Sequence, residues 1–214
     1  MTTMTYWVSE HAGRTRRLMH GALASLVVGG LSVASILQEW GGGRSDLGFT
    51  AGSVLDLFAV LPGIVVLLAL LELATAAGST RLYRSSLCLY STGWFTDLLR
   101  LFISENLSDV WAIVLIIPLA LAVLAIIIFK IWFAVALIRL RDRLGGLAGM
   151  IGALVLLNLG AWLVFGVLSV IGDESGALDR VDTVRGLVSV VLNALLLFML
   201  FLNVRDRLLE GSQL

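Results

Sequence analysis

Five apolar runs, each at least 17 residues long, constrain the fold of this 214-residue chain more than any other feature of its sequence. A helix needs about 20 mostly apolar residues to cross the hydrocarbon core of a bilayer. The segments between the runs are too short to form a separate water-soluble domain. We therefore predict a single all-α domain over residues 1–214, a polytopic bundle of transmembrane helices. The apolar runs cover residues 21–37, 55–77, 110–138, 144–171 and 186–203.

Residues 85–104 form an ambiguous sixth segment, because Asp97, Arg100 and several hydroxyl side chains interrupt its apolar residues. Hydropathy alone favours an interfacial amphipathic helix here. The arginines favour a crossing, since short cytoplasmic loops retain Lys and Arg while translocated loops lose them. A crossing puts ten arginines on the cytoplasmic side and three on the other side. The ten are Arg14, Arg16, Arg17, Arg81, Arg84, Arg139, Arg141, Arg143, Arg205 and Arg207, and the three are Arg44, Arg180 and Arg185.

We therefore predict six crossings, with the N and C termini both cytoplasmic. If segment 85–104 lay flat instead, every later loop would invert and the arginine-rich break at residues 139–143 would lie outside. The first run also has the basic flank of a secretory signal, but its 17 residues suffice for a short membrane helix, which is the interpretation we favour. The predicted helices cover about 18–38, 55–78, 85–104, 110–138, 144–171 and 186–204.

Glu72 and Lys130 are charged residues inside apolar runs. Glu72 lies nine residues before Arg81, and Lys130 lies nine residues before Arg139. Both therefore lie about 13 Å inside the cytoplasmic boundary by helical rise. An isolated charge at this depth is costly and a partner of opposite sign relieves the cost, so we predict an intramembrane ion pair. The pair can serve as a gate for ions or protons or as a structural lock between helices, and we favour the structural role.

Four further polar residues fall within the predicted helices. Asp97 and Arg100 are three positions apart, so they share a helix face and can pair. Asn158 and Asn193 lie near the middle of predicted helices five and six. Hydrogen bonding between helices is the favoured role of the two amides. The alternative is that they line a polar route through the bundle together with Asp97.

Two sets of small residues recur at four-residue spacing, a pattern that permits close helix packing in lipid. The alternative is chance, because the chain contains 22 glycines. The sequence leaves open whether each set faces another helix of this chain or a partner subunit. The sets are Gly21, Ser25 and Gly29 on the first helix, and Gly145, Gly149 and Ala153 on the fifth.

The sequence lacks the patterns of membrane enzymes, including Gly-x-Ser-x-Gly, His-Glu-x-x-His and clustered aspartates. Cys88 is the single cysteine, which excludes an intramolecular disulfide and a cysteine-ligated metal cluster within this chain. The two histidines, His11 and His20, lie at the edge of the first run rather than deep in the bundle. We therefore expect no enzyme activity, no cofactor and no metal.

The sparse polar groups favour a non-catalytic integral membrane protein, a subunit or scaffold of a larger membrane complex. Its expected partners are membrane lipids and other membrane-protein subunits, with no nucleic acid. The alternative is a transporter or permeation component for a small solute or ion that uses the Glu72–Lys130 pair. Short loops, the arginine bias and the positive-inside pattern favour the inner (plasma) membrane of a bacterium.

Overall fold

The computed structural model describes residues 2–40, 51–102, 109–172 and 177–210. Within these ranges every regular element is an α-helix, so the all-α prediction is confirmed. Within the predicted loops, residues 41–50, 105–108 and 173–176 lie outside the described residues, and so do residues 103–104 of the predicted third crossing. The helices are α1 (Thr2–Trp40), α2 (Ala51–Ala76), α3 (Thr80–Phe102), α4 (Asp109–Arg139), α5 (Arg141–Leu144), α6 (Gly146–Gly172) and α7 (Ala177–Leu209).

Five of the described helices are long and apolar enough to cross a membrane, which is the property of a multi-pass membrane protein. The helix α3 is not among them, because its polar residues lower its hydropathy although its 23 residues are sufficient in length. The five candidate spans are Ala12–Gln38, Phe58–Ala76, Ile116–Arg139, Gly146–Phe165 and Arg180–Leu209.

Several helices extend beyond the predicted crossings. The first helix begins at Thr2 rather than near residue 18, and the last begins at Ala177 rather than near residue 186. Hydropathy detects the apolar part of a helix, whereas backbone hydrogen bonding continues through the polar residues that flank it. As a result, Arg185, which the predicted topology puts in a loop, lies inside α7.

The six long helices form a ring in chain order. Each packs against the next, α4 is followed by α6, and α7 closes the ring against α1. Consecutive helices run antiparallel. On α1, Met19 contacts Arg205 near the end of α7, whereas Ser25 contacts Ala194 further back along α7. A contact between α2 and α7 crosses the ring.

One end of the bundle collects most of the arginines, and we call it the arginine end. It contains Arg14 and Arg17 on α1, Arg143 on α5, and Arg205 and Arg207 at the end of α7. The fully buried apolar side chains concentrate in this half of the bundle, where dispersion contacts between close-packed groups hold the helices together. The largest are Leu18, Val66, Leu70, Leu73, Leu82, Leu137, Leu144, Ile151, Leu200, Phe201 and Val204.

Small residues permit the closest helix contacts. A Cβ atom added at Gly21 would overlap Ala69 on α2, and one added at Gly29 would overlap Ala194 on α7. Ser25 lies between the two glycines and donates a 3.3 Å hydrogen bond to the Ala194 carbonyl oxygen. The first set of small residues therefore faces two helices of the same chain.

The second set does not form one packing surface. Gly145 has φ +90° at the break between α5 and α6, Gly149 lies next to Arg141, and Ala153 is exposed. The close approach of α6 to α4 is made by Gly152, where an added Cβ would lie 2.6 Å from the Ala134 carbonyl oxygen. The four-residue spacing is regular, but Gly145 precedes α6, and Gly149 and Ala153 lie on a face of α6 next to the one that packs against α4.

Candidate functional site

A polar cavity of about 260 Å³ lies between α3, α4, α6 and α7. Since α3 and α7 are not neighbours in the ring, a cavity that touches all four helices lies inside it. The wall combines Trp162 and aliphatic side chains with five polar residues. The polar residues are Thr96, Asp97, Lys130, Asn158 and Arg185.

Arg185 is the most extensively bonded of these side chains. Its guanidinium pairs with Asp182 at 2.6 Å and donates to both the side-chain and the main-chain oxygens of Asn158. It also lies 5.8 Å from the centre of the Phe165 ring, a cation–π geometry. These contacts join α7 to α6 and fix the position of the arginine.

Lys130 also lines the cavity but, unlike Arg185, its ammonium group makes no ion pair or hydrogen bond within the described part of the chain. The span Ile116–Arg139 contains one other charged residue, Arg139 at its very end. An uncompensated charge near the centre of a membrane helix costs about 2.5–3.5 kcal/mol on insertion scales. Such a residue is a candidate functional group, because no described residue forms an ion pair with it.

The α3 wall of the cavity is made by one face of that helix. Gly93, Thr96 and Asp97 are three and four positions apart, the spacing of neighbours on a helix surface. Thr96 is buried, and its hydroxyl donates a 2.8 Å hydrogen bond to the Thr92 carbonyl oxygen. Asp97 therefore brings a carboxyl group into the same cavity as the Lys130 ammonium and the Arg185 guanidinium.

The predicted Glu72–Lys130 pair is not formed. Both carboxylate oxygens of Glu72 are engaged by α1, at 3.2 Å from Arg14 and 3.3 Å from Arg17. The prediction counts nine residues from Glu72 to Arg81, but α2 ends at Ala76 and Arg81 belongs to α3, so Glu72 lies four residues from the end of its helix whereas Lys130 lies nine from the end of α4. In the ring α3 also stands between α2 and α4, whereas α1 packs directly against α2. A matched spacing along the sequence therefore fixes neither the depth of the two charges nor the helix that each one faces.

The remaining predicted polar residues are placed as follows. Asn158 and Asp97 line the cavity, and Asn158 also accepts a hydrogen bond from Arg185 on the neighbouring helix α7. Asn193 is half-buried on α7 and makes no hydrogen bond with any described group. The side chain of Arg100 lies outside the described residues.

Sequence reasoning missed Arg185 as a site residue. The apolar run starts at the next residue, so the predicted crossing begins just after it. The signal that would have found it is the spacing of Asp182 and Arg185, three positions apart, which predicts an ion pair on a continuing helix. The roles of Arg14 and Arg17 were missed as well, because both were assigned to a cytoplasmic flank.

Fold and site together define a multi-pass, all-helical membrane protein with a charged internal cavity. Comparison with known proteins finds no matching family model, curated protein or solved structure. Any functional proposal therefore depends on the chemistry of the cavity.

Proposed function

We propose that this protein binds a small organic anion in the cavity and serves as a transport or permeation component for it. The observation that carries the proposal is the Lys130 ammonium group, which lines the cavity without an ion pair from any described residue. A bound carboxylate would compensate this charge. Membrane transporters commonly use intramembrane charges in this way.

The lining restricts the kind of solute. Arg185 is already paired with Asp182, so Lys130 is the cation available to a ligand. The Asn158 side-chain amide can donate a hydrogen bond to a bound carboxylate, and the Asp97 carboxylate can accept one from a hydroxyl group of the solute. Trp162 and the aliphatic wall suit a short apolar portion. A volume of about 260 Å³ is below the roughly 300–1,000 Å³ of pockets for drug-sized ligands. Small monocarboxylates fit these requirements.

The proposed topology is six crossings with both termini in the cytoplasm, in the inner membrane of a bacterium. The support for the sixth crossing is the packing of α3 along both α2 and α4. Its first residues, Thr80 and Arg81, lie beside Arg139 at the end of α4, while Asp97 lies beside the middle of α4. The support for the orientation is the arginine end, by the positive-inside rule.

A second proposal is a non-catalytic subunit or scaffold of a larger membrane complex, with other membrane proteins as partners. The observation in its favour is the strongly apolar outer surface of α4, where Ile116, Ile117, Leu121, Leu124 and Ile128 are exposed. A neighbouring membrane helix can cover this surface as well as lipid can.

Uptake of radiolabelled acetate, lactate and pyruvate into proteoliposomes tests the first proposal. The wild type is compared with Lys130→Met, which removes the charge at similar volume, and with Lys130→Arg, which keeps it. We expect uptake by the wild type, partial uptake by Lys130→Arg and background uptake by Lys130→Met. Equal uptake by the wild type and Lys130→Met would contradict the transport proposal and favour the second proposal, a subunit or scaffold role.

A further inference from the structure

A second cavity, of about 350 Å³, lies at the arginine end and is separate from the solute cavity. The turn between α2 and α3 forms one wall, and the end of α4 together with α5 forms the other. Three arginines line it, Arg81 on the first wall and Arg139 and Arg143 on the second. We call it the basic pocket.

We propose that the basic pocket binds a phosphate group, and that the group belongs to the headgroup of an anionic lipid. This site goes beyond the proposed solute function and does not depend on it. Three features of the pocket support this assignment: its charge, the backbone groups at the start of α3 and its level in the membrane.

The basic pocket carries three arginines and no acidic side chain in its described lining. Among the described residues, no carboxylate pairs with Arg81, Arg139 or Arg143. Arg143 donates a 3.0 Å hydrogen bond to the Ala77 carbonyl oxygen at the end of α2, which fixes one wall of the pocket against the other. Guanidinium groups present several N–H donors in one plane, which matches the oxygens of a phosphate.

The backbone adds donors on the wall formed by the turn between α2 and α3. Ser79 caps α3 by accepting a 3.2 Å hydrogen bond from the Leu82 amide, and the chain reaches this cap through Gly78 at φ +63°. The amides of Thr80 and Arg81 belong to the first turn, where a helix supplies no carbonyl partner. The first turn of a 23-residue helix also carries the positive end of its dipole. These groups line the same pocket as the arginines.

The level of the pocket points to lipid as the source of the phosphate. Candidate spans Phe58–Ala76 and Ile116–Arg139 both end at its walls, so the pocket lies where headgroups begin. Below it, α3 and α4 expose apolar side chains such as Leu87 and Ile131, which acyl chains can contact. Basic pockets between helices at this level are suited to anionic headgroups.

The test measures lipid binding to the purified, delipidated full-length protein by native mass spectrometry. The probes are phosphatidylglycerol, phosphatidylcholine and inorganic phosphate. The variant is Arg81→Gln with Arg139→Gln, since both residues are exposed and we therefore expect the bundle to keep its packing. Arg143 is kept because it also bonds Ala77. The matched control is Arg84→Gln, an exposed arginine on α3 that does not line the pocket.

We expect the wild type and Arg84→Gln to retain one phosphatidylglycerol, and the double variant to bind it roughly tenfold more weakly or worse. Phosphatidylcholine should bind less well, and millimolar inorganic phosphate should not displace the lipid. Displacement by inorganic phosphate, with the same dependence on Arg81 and Arg139, would support the phosphate site and identify free phosphate as the ligand. Equal lipid binding by the double variant and Arg84→Gln, without phosphate binding, would overturn the proposal.

Discussion

Arg185 donates a hydrogen bond to the side-chain oxygen of Asn158 and thereby joins α7 to α6 at the wall of the solute cavity. The same guanidinium holds Asp182 at 2.6 Å, one turn earlier on its own helix. Asn158 therefore has a definite role in the structure, which is to hold the guanidinium of Arg185 in place together with Asp182.

Replacing Asn158 by Ala should loosen this junction. The variant removes one acceptor of Arg185 but leaves Asp182, so we expect a loss of about 1 kcal/mol in stability, which is within the range for such bonds in membranes. Thermal unfolding in detergent, followed by circular dichroism, measures it. Asn193→Ala is the matched control, because Asn193 makes no hydrogen bond with a described group. Equal melting temperatures for the two variants would contradict a specific role of Asn158.

Replacing Lys130 by Met should leave the protein folded and at least as stable as the wild type. The substitution removes a charge without a partner among the described residues and keeps an unbranched side chain of similar volume. The melting temperature of purified protein without solute measures the effect. A marked fall in melting temperature would mean that Lys130 has a structural partner, and the solute proposal would lose its support.

The Glu72 cluster allows a test by charge exchange. Glu72→Arg should destabilise the protein by roughly 1–3 kcal/mol, since it puts a third cation beside Arg14 and Arg17 in a partly buried position. Adding Arg14→Glu should restore part of that loss, and adding Lys130→Glu should restore none. Double-mutant cycles on the free energy of unfolding measure the coupling of Glu72 with Arg14 and the coupling of Glu72 with Lys130. Rescue by Lys130→Glu would contradict the ring order, in which α3 separates α2 from α4.

Some features of this structure can be predicted from a local stretch of sequence, whereas others depend on how the whole bundle packs. The apolar runs identify five spans, because hydropathy reports the environment of a segment directly. The set Gly21, Ser25 and Gly29 predicts a packing face, because a small side chain by itself permits a close helix contact at its position. The partner of Glu72 was not predictable in this way, because ring order is a property of the whole bundle. Arg185 was missed because a charged residue ends an apolar run without ending the helix.

Alanine substitutions at two glycines of α6 distinguish the effect of close packing from the effect of helix propensity. Gly152→Ala should destabilise the bundle by about 1–3 kcal/mol, because the added methyl meets the Ala134 carbonyl oxygen and the Ile138 side chain. Gly160→Ala on the same helix should be neutral or stabilising, since nothing lies within 4 Å of the added atom and alanine favours a helix. Melting temperatures of the two variants measure the difference. If both behave alike, the α4–α6 contact is not at Gly152.

Cysteine labelling in intact cells decides whether α3 crosses the membrane. Cys88 is first replaced by Ala, and single cysteines are then put at Arg81 and Asp142, both exposed. If α3 crosses, the end of α4 returns to the side on which α3 began, so both positions should resist an impermeant maleimide and react with a permeant one. Arg180→Cys, exposed near the start of α7, should react with both reagents and serves as the outside control. Opposite labelling at positions 81 and 142 would mean that α3 lies flat, and it would separate the two walls of the basic pocket by the full thickness of the bilayer.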